Sequence, residues 1–127
     1  MVRKISVLSN DQEIRQKLKD KFVNVHFNDN YICLITSTVI NKFPIIIIDS
    51  NEIPIFNEQK IINSINQFSP KSKIIFISRI DDIEYQKNVR NNNQITYYAN
   101  YPVDMFSIEK IINTTLENFD KLEYTYD

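Results

Sequence analysis

The sequence predicts a doubly wound α/β domain, a five-stranded parallel sheet with helices on both faces. Three observations predict it. Short apolar runs alternate five times with segments of helical periodicity. Two of these runs, "PIIIID" at 44–49 and "IIFIS" at 74–78, are continuously apolar, the mark of strands buried on both faces. At 127 residues the chain is long enough for one domain with its own core, and no linker, repeat or low-complexity block interrupts the alternation.

The elements follow in order. "KISVLS", Lys4–Ser9, reads as the first strand. Ile14, Leu18 and Phe22 then recur at helical spacing, with Asn10 or Asp11 as the cap. "NVHF", Asn24–Phe27, is a short second strand. In "NDNYICLITSTVINKF" the residues Ile32, Ile35, Val39 and Phe43 keep helical spacing although Thr and Val favour strands; Asn28–Asn30 as a cap decides for a helix. "PIIIID" is the third strand. "NEQKIINSINQF" is a helix with Ile61, Ile62, Ile65 and Phe68 on one face. Ile74–Ser78 is the fourth strand, "RIDDIEYQKNVRNNNQ" a polar helix and loop, and "ITYYANYP" a fifth strand ended by Pro102. The last helix is the clearest: Phe106 or Ile108, then Ile111, Ile112, Thr115, Leu116 and Phe119 form a wide apolar stripe behind an Asp104 cap. Connections of this kind are right-handed, which leaves few topologies.

Composition excludes several chemistries. The chain has no glycine, so it has no Walker A loop, no GxGxxG turn and no GxSxG elbow. It has one histidine, His26, and one cysteine, Cys33, so a Cys/His zinc cluster cannot form. His26 reads as an ordinary strand residue and Cys33 as a small buried apolar one. A Ser50–His26–Asp49 triad fails because neighbours on one strand point apart and no oxyanion-hole loop exists. The lone cysteine fits a reducing cytoplasm. A formal net charge of −1 argues against direct nucleic-acid binding. Neither a signal peptide nor an apolar run of about 20 residues for a membrane span is present.

In an open parallel sheet, ligands bind beyond the carboxyl ends of the strands. That rule selects Ser9, Asn10 and Asp11, then Asp49 and Ser50, then Ser78 and Arg79, then Asn100 and Tyr101.

The element order, "DQEIRQKL" after the first strand, the prolines bracketing the third strand and "YYANYP" before the last helix resemble the receiver domain of bacterial two-component response regulators (CheY-like). The resemblance covers essentially the whole chain. It implies a flavodoxin-like strand order, 2-1-3-4-5. It also implies two acids after the first strand that hold Mg²⁺, an aspartate after the third that accepts a phosphoryl group, a hydroxyl after the fourth, and a lysine before a proline after the fifth. The acidic pair falls on Ser9 and Asn10, with Asp11 next. The hydroxyl falls on Ser78 and agrees. The lysine falls on Tyr101 and disagrees. An aromatic switch position falls on Tyr98 and agrees. Counting from Pro44, and backward from Pro54, puts Ser50 at the acceptor position and Asp49 one residue early, which would turn its side chain to the other face. A bulge or a longer following loop would return Asp49 to the site.

A carboxylate about 4 Å from a unit charge gains roughly 4 kcal/mol at an effective dielectric near 20. Ser9 and Asn10 forgo most of that, and neutral Tyr101 cannot stand in for an ammonium. The expectation is therefore a pseudo-receiver: not an enzyme, with no cofactor, degenerate at Asp49/Ser50 and at Ser9, Asn10 and Asp11, and acting by docking. Its partner would be a protein, either a second copy or another receiver or output domain, with no membrane involved. In the family the fourth helix, fifth strand and fifth helix carry dimer contacts, and here Tyr85, Val89, Tyr97, Tyr98, Tyr101 and Phe106 fall in that region.

Plainer readings stand beside these. Asp49 can serve only to bond the next turn, Ser78 only to satisfy backbone, and Tyr98 and Tyr101 only to pack. Two other functions remain open: a working receiver using Asp49 and Asp11 with Mg²⁺, and a flavodoxin-like small-molecule binder. The chain stops soon after the last helix, at "DKLEYTYD", as a single-domain protein or a piece of a longer regulator would.

Overall fold

The computed structural model describes residues 4–54, 57–92 and 94–125, with side chains up to 119. Of the segments read above, Asn93 and the last two residues, 126–127, lie outside it. The elements are β1 (Ile5–Leu8), α1 (Gln12–Lys21), β2 (Val25–Phe27), α2 (Tyr31–Asn41), β3 (Ile45–Asp49), α3 (Glu58–Phe68), β4 (Lys73–Ser78), α4 (Ile83–Arg90), β5 (Ile95–Asn100) and α5 (Met105–Thr125). The strands pair in parallel in the order β2-β1-β3-β4-β5. The predicted order and class hold.

Alternation along the strands divides the core in two. Ile5, Val7, Ile45, Ile47, Ile75 and Ile77 pack with Ile14 and Leu18 of α1 and Met105, Ile108 and Ile112 of α5. Leu8, Ile46, Ile48, Ile74 and Phe76 pack with Leu34 of α2, Ile61, Ile62 and Ile65 of α3, and Val89 of α4. The uniform isoleucine strand β3 thus faces both layers, as a central parallel strand must.

Local signals place the helix starts. Asp11 caps α1, accepting from the Glu13 and Ile14 amides; Asn30 caps α2 through Cys33; Asp104 precedes α5, accepting from the Phe106 amide and the Ser107 hydroxyl. With no glycine to close α2, Lys42 takes the left-handed conformation itself, at φ 49°.

Four readings of burial need correction. The buried face of α2 is Leu34 and Thr38 with Tyr31 and Ile35 beside them, while Ile32 and Val39 are exposed. The helix is apolar around much of its circumference, so spacing fits more than one stripe. Cys33 is exposed rather than buried. Phe68, at the last turn of α3, is partly exposed. Phe106 is 71% exposed, and the buried stripe of α5 runs from Met105 through Ile108 and Ile112. His26 is a strand residue as expected, its ring stacked 5.7 Å from that of Phe43.

Candidate functional site

Residues of one parity gather at the carboxyl edge. Ser9 continues the Ile5–Val7 series, Asp49 the Ile45–Ile47 series and Arg79 the Ile75–Ile77 series, so alternation turns all of them toward the α1 and α5 layer. The ladders set Ser9 beside Asp49, since Leu8 pairs with Ile48, and put Arg79 two residues beyond Ile77, the partner of Asp49.

Asp49 is fully buried, and donors surround its carboxylate. One oxygen, Oδ1, accepts from Arg79 Nε at 2.9 Å and from the Asn51 amide at 3.0 Å. The other, Oδ2, accepts from Arg79 Nη2 at 3.0 Å and from Ser9 Oγ at 2.9 Å. A carboxylate offers about four lone-pair positions, and here each oxygen meets two donors. The guanidinium grips it in the bidentate manner that makes such pairs strong.

Arg79 is itself held from several sides. Its Nη2 also donates to Asp11 Oδ2 at 3.0 Å, so a single guanidinium bridges both carboxylates. Its backbone amide donates to Ser50 Oγ at 2.9 Å. Its Cζ lies 3.9 Å from the centre of the Tyr101 ring, a stacked cation–π contact. The hydrogen bond to Asp49 is the main reason its basicity rises above the ordinary arginine value, with Asp11 adding to it. Burial alone would push the Asp11 carboxyl up, but the Arg79 hydrogen bond and charge and the Ile14 and Glu13 amides together hold it below its usual range.

The remaining sequence candidates divide. Asn10 turns away, its amide donating to Glu52 Oε1 at 2.6 Å and its Oδ1 accepting from Arg15 Nη2 at 3.1 Å. Ser78 lies on the opposite parity; its hydroxyl donates to Ile80 O at 3.0 Å and accepts from the Ile80 amide at 3.1 Å, the plain backbone role. Tyr98 points into the α2–α3–α4 layer, stacked 5.7 Å from Phe76, and burial pushes its phenol up. Tyr101 is half exposed under Arg79.

Three expectations are corrected here. Asp49, not Ser50, carries its side chain into the edge cluster, and no bulge in β3 is needed: that strand pairs with β1 and β4 in unbroken register. Val89 is 1% exposed and belongs to the core, so it cannot form an interface. Tyr85 and Tyr97 are half-buried packing residues, and the Tyr85 hydroxyl donates to Glu58 at 3.1 Å. Of the proposed surface, Tyr101 and Phe106 remain exposed, and Ile83 at the start of α4 joins them at 70%.

Sequence reasoning placed Arg79 at the right edge but gave it no role. The signal was available in a cation one residue beyond a buried strand, on the same edge as two aspartates. A lone cation there is costly unless paired.

The resemblance implies Mg²⁺ at this edge, and the residues present do not fit it. Asp11 is committed to capping α1 and to Arg79, the acidic-pair positions hold Ser9 and Asn10, and a guanidinium already bridges Asp11 and Asp49. Among the described residues no group of three or more His, Cys, Asp or Glu side chains converges as a metal site.

Known structures share this architecture. The chain is similar to a CheY-like response regulator receiver domain protein from Methanospirillum hungatei JF-1, at TM-score 0.75 and 17% identity, covering 95% of this chain and 99% of that one. It is similar to the signal receiver domain of an HD domain-containing protein from Pseudomonas fluorescens Pf-5, at TM-score 0.76 and 16% identity, covering 93% and 97%. It is also similar to a protein described as an adenylate cyclase from Rhodopirellula baltica, at TM-score 0.78 and 18% identity, covering 98% and 95%. No protein-family model matches the chain, and no curated protein matches it. The fold is the receiver fold.

Proposed function

We propose that this chain is a receiver-like signalling module that works by protein docking and does not use aspartyl phosphorylation. One observation carries the reading: Asp49, the carboxylate at the end of β3, is fully buried and has donors on both oxygens, two of them from Arg79. Attack on a phosphoryl group needs an oxygen lone pair with open access to the incoming phosphorus, and this carboxylate offers none. Phosphoryl transfer also needs cations free to neutralise the charge on the transferred group. The cation here is already spent on two carboxylates.

The partner in this reading is a protein, either a second copy or another receiver or output domain. Tyr101, Phe106 and Ile83 are the exposed apolar residues near the carboxyl ends of β4 and β5 that support it, tyrosine and phenylalanine being favoured at interfaces. A small-molecule reading gains little. A groove of about 530 Å³ lies between β5 and α5, lined by Tyr97, Lys110, Ile111 and Thr114, but it is away from the carboxyl edge.

The second reading, a working acceptor, is favoured by Asp11 and Asp49 lying within reach of one cation. Incubation with Mg²⁺ and a small phosphodonor, followed by intact mass, separates the two. The docking reading expects an unmodified chain. An added phosphoryl group that disappears in Asp49→Asn would establish the acceptor instead.

A further inference from the structure

Arg79 touches both the closed carboxylate site and the segment that leads into α5. We infer that Arg79 is a permanent strut: clamped by Asp11 and Asp49 at one end and stacked on Tyr101 at the other, it holds the β5–α5 connection in a single arrangement. The inference rests on the reading of the site as closed to phosphoryl transfer, and adds what the closure does for the docking surface.

The geometry supports it from both sides. The guanidinium plane is fixed by hydrogen bonds to carboxylates on β3 and at the start of α1, so it cannot turn without breaking three of them. The backbone of Arg79 is fixed by Ser50. The Tyr101 ring therefore lies 3.9 Å from a guanidinium held by three carboxylate hydrogen bonds, and the Tyr101 amide donates to Ser78 O at 2.8 Å. Three residues on, Asp104 caps α5, and Met105 enters the core. Locating Tyr101 therefore locates the first turn of α5 and the exposed Phe106 on it. In this account Arg79 is a positioning residue for the surface that contains Tyr101 and Phe106.

The test uses the full chain without Mg²⁺ or phosphodonor, so its outcome is independent of the mass experiment. A ring current from Tyr101 should shift the Arg79 side-chain protons upfield of those of exposed Arg90 in the NMR spectrum. Tyr101→Phe keeps the ring and should keep the shift. Tyr101→Leu should abolish it and raise hydrogen exchange at the amides of 101, 103 and 104 by about tenfold or more, with β3 amides unchanged. Because Tyr101 is half exposed, both variants should fold. Arg79 protons without the shift in the unaltered protein, or equal loop exchange in Tyr101→Leu and Tyr101→Phe, would overturn the strut.

Discussion

Replacing Arg79 by alanine would leave the buried Asp49 carboxylate with only Ser9 and the Asn51 amide. Breaking a buried pair from one side strands the remaining charge, and costs of about 3–5 kcal/mol are typical. Urea unfolding of Arg79→Ala at neutral pH should show a loss of that size, and Arg79→Ala/Asp49→Asn should recover part of it, since the uncompensated charge is then gone. Asp11 makes a separable contribution. Its folded carboxyl lies below the ordinary value of 3.8, so between the two values the unfolded chain binds more protons. Stability from this group is complete above the ordinary value and disappears as pH falls through the folded one. The urea midpoint should therefore fall on acidification below about 4, and Asp11→Asn, which keeps the cap but not the charge, should flatten that part of the profile.

At the scale of the elements, the helices differ in how plainly the sequence wrote them. In α1 and α5 the polar and apolar faces are distinct, and Ile14, Leu18, Ile108 and Ile112 are buried at the spacing read from the sequence. In α2, Ile32, Val39 and Ile40 are exposed beside a buried Leu34, so apolar spacing alone could not say which stripe faces the sheet. Leu34→Ala should cost about 2–5 kcal/mol, whereas Ile32→Ala should stay within about 0.5 kcal/mol. Phe106→Ala and Ile112→Ala make the same contrast on α5 and fix its register. Lys42→Gly should raise stability by about 1 kcal/mol, because the left-handed closure of α2 burdens any residue with a Cβ. Strand β3 hid more than any helix. Four consecutive isoleucines carry no in-or-out pattern, so the sequence could not say which face Asp49 takes. Only the ladders to β1 and β4 decide that it joins Ser9 and Arg79.

Across the whole molecule, the order of elements was legible because each strand and helix carries its own local period, and parallel βα units leave little freedom in assembling them. The site was legible only as an inventory of the carboxyl edge. Which side chains meet there depends on register and on the reach of Arg79 across the ends of β3 and β4 to Asp11 and Tyr101, and no local pattern encodes that. The central claim is that this guanidinium already holds the place between Asp11 and Asp49 that a divalent ion would need. A Mg²⁺ titration followed by ¹H–¹⁵N NMR tests it most directly. No saturable shift at the amides of Asp11, Asp49 and Asn51, with the Arg79 side-chain signals unmoved, is the predicted result. Saturable shifts at those amides, together with displacement of the Arg79 signals, would contradict it.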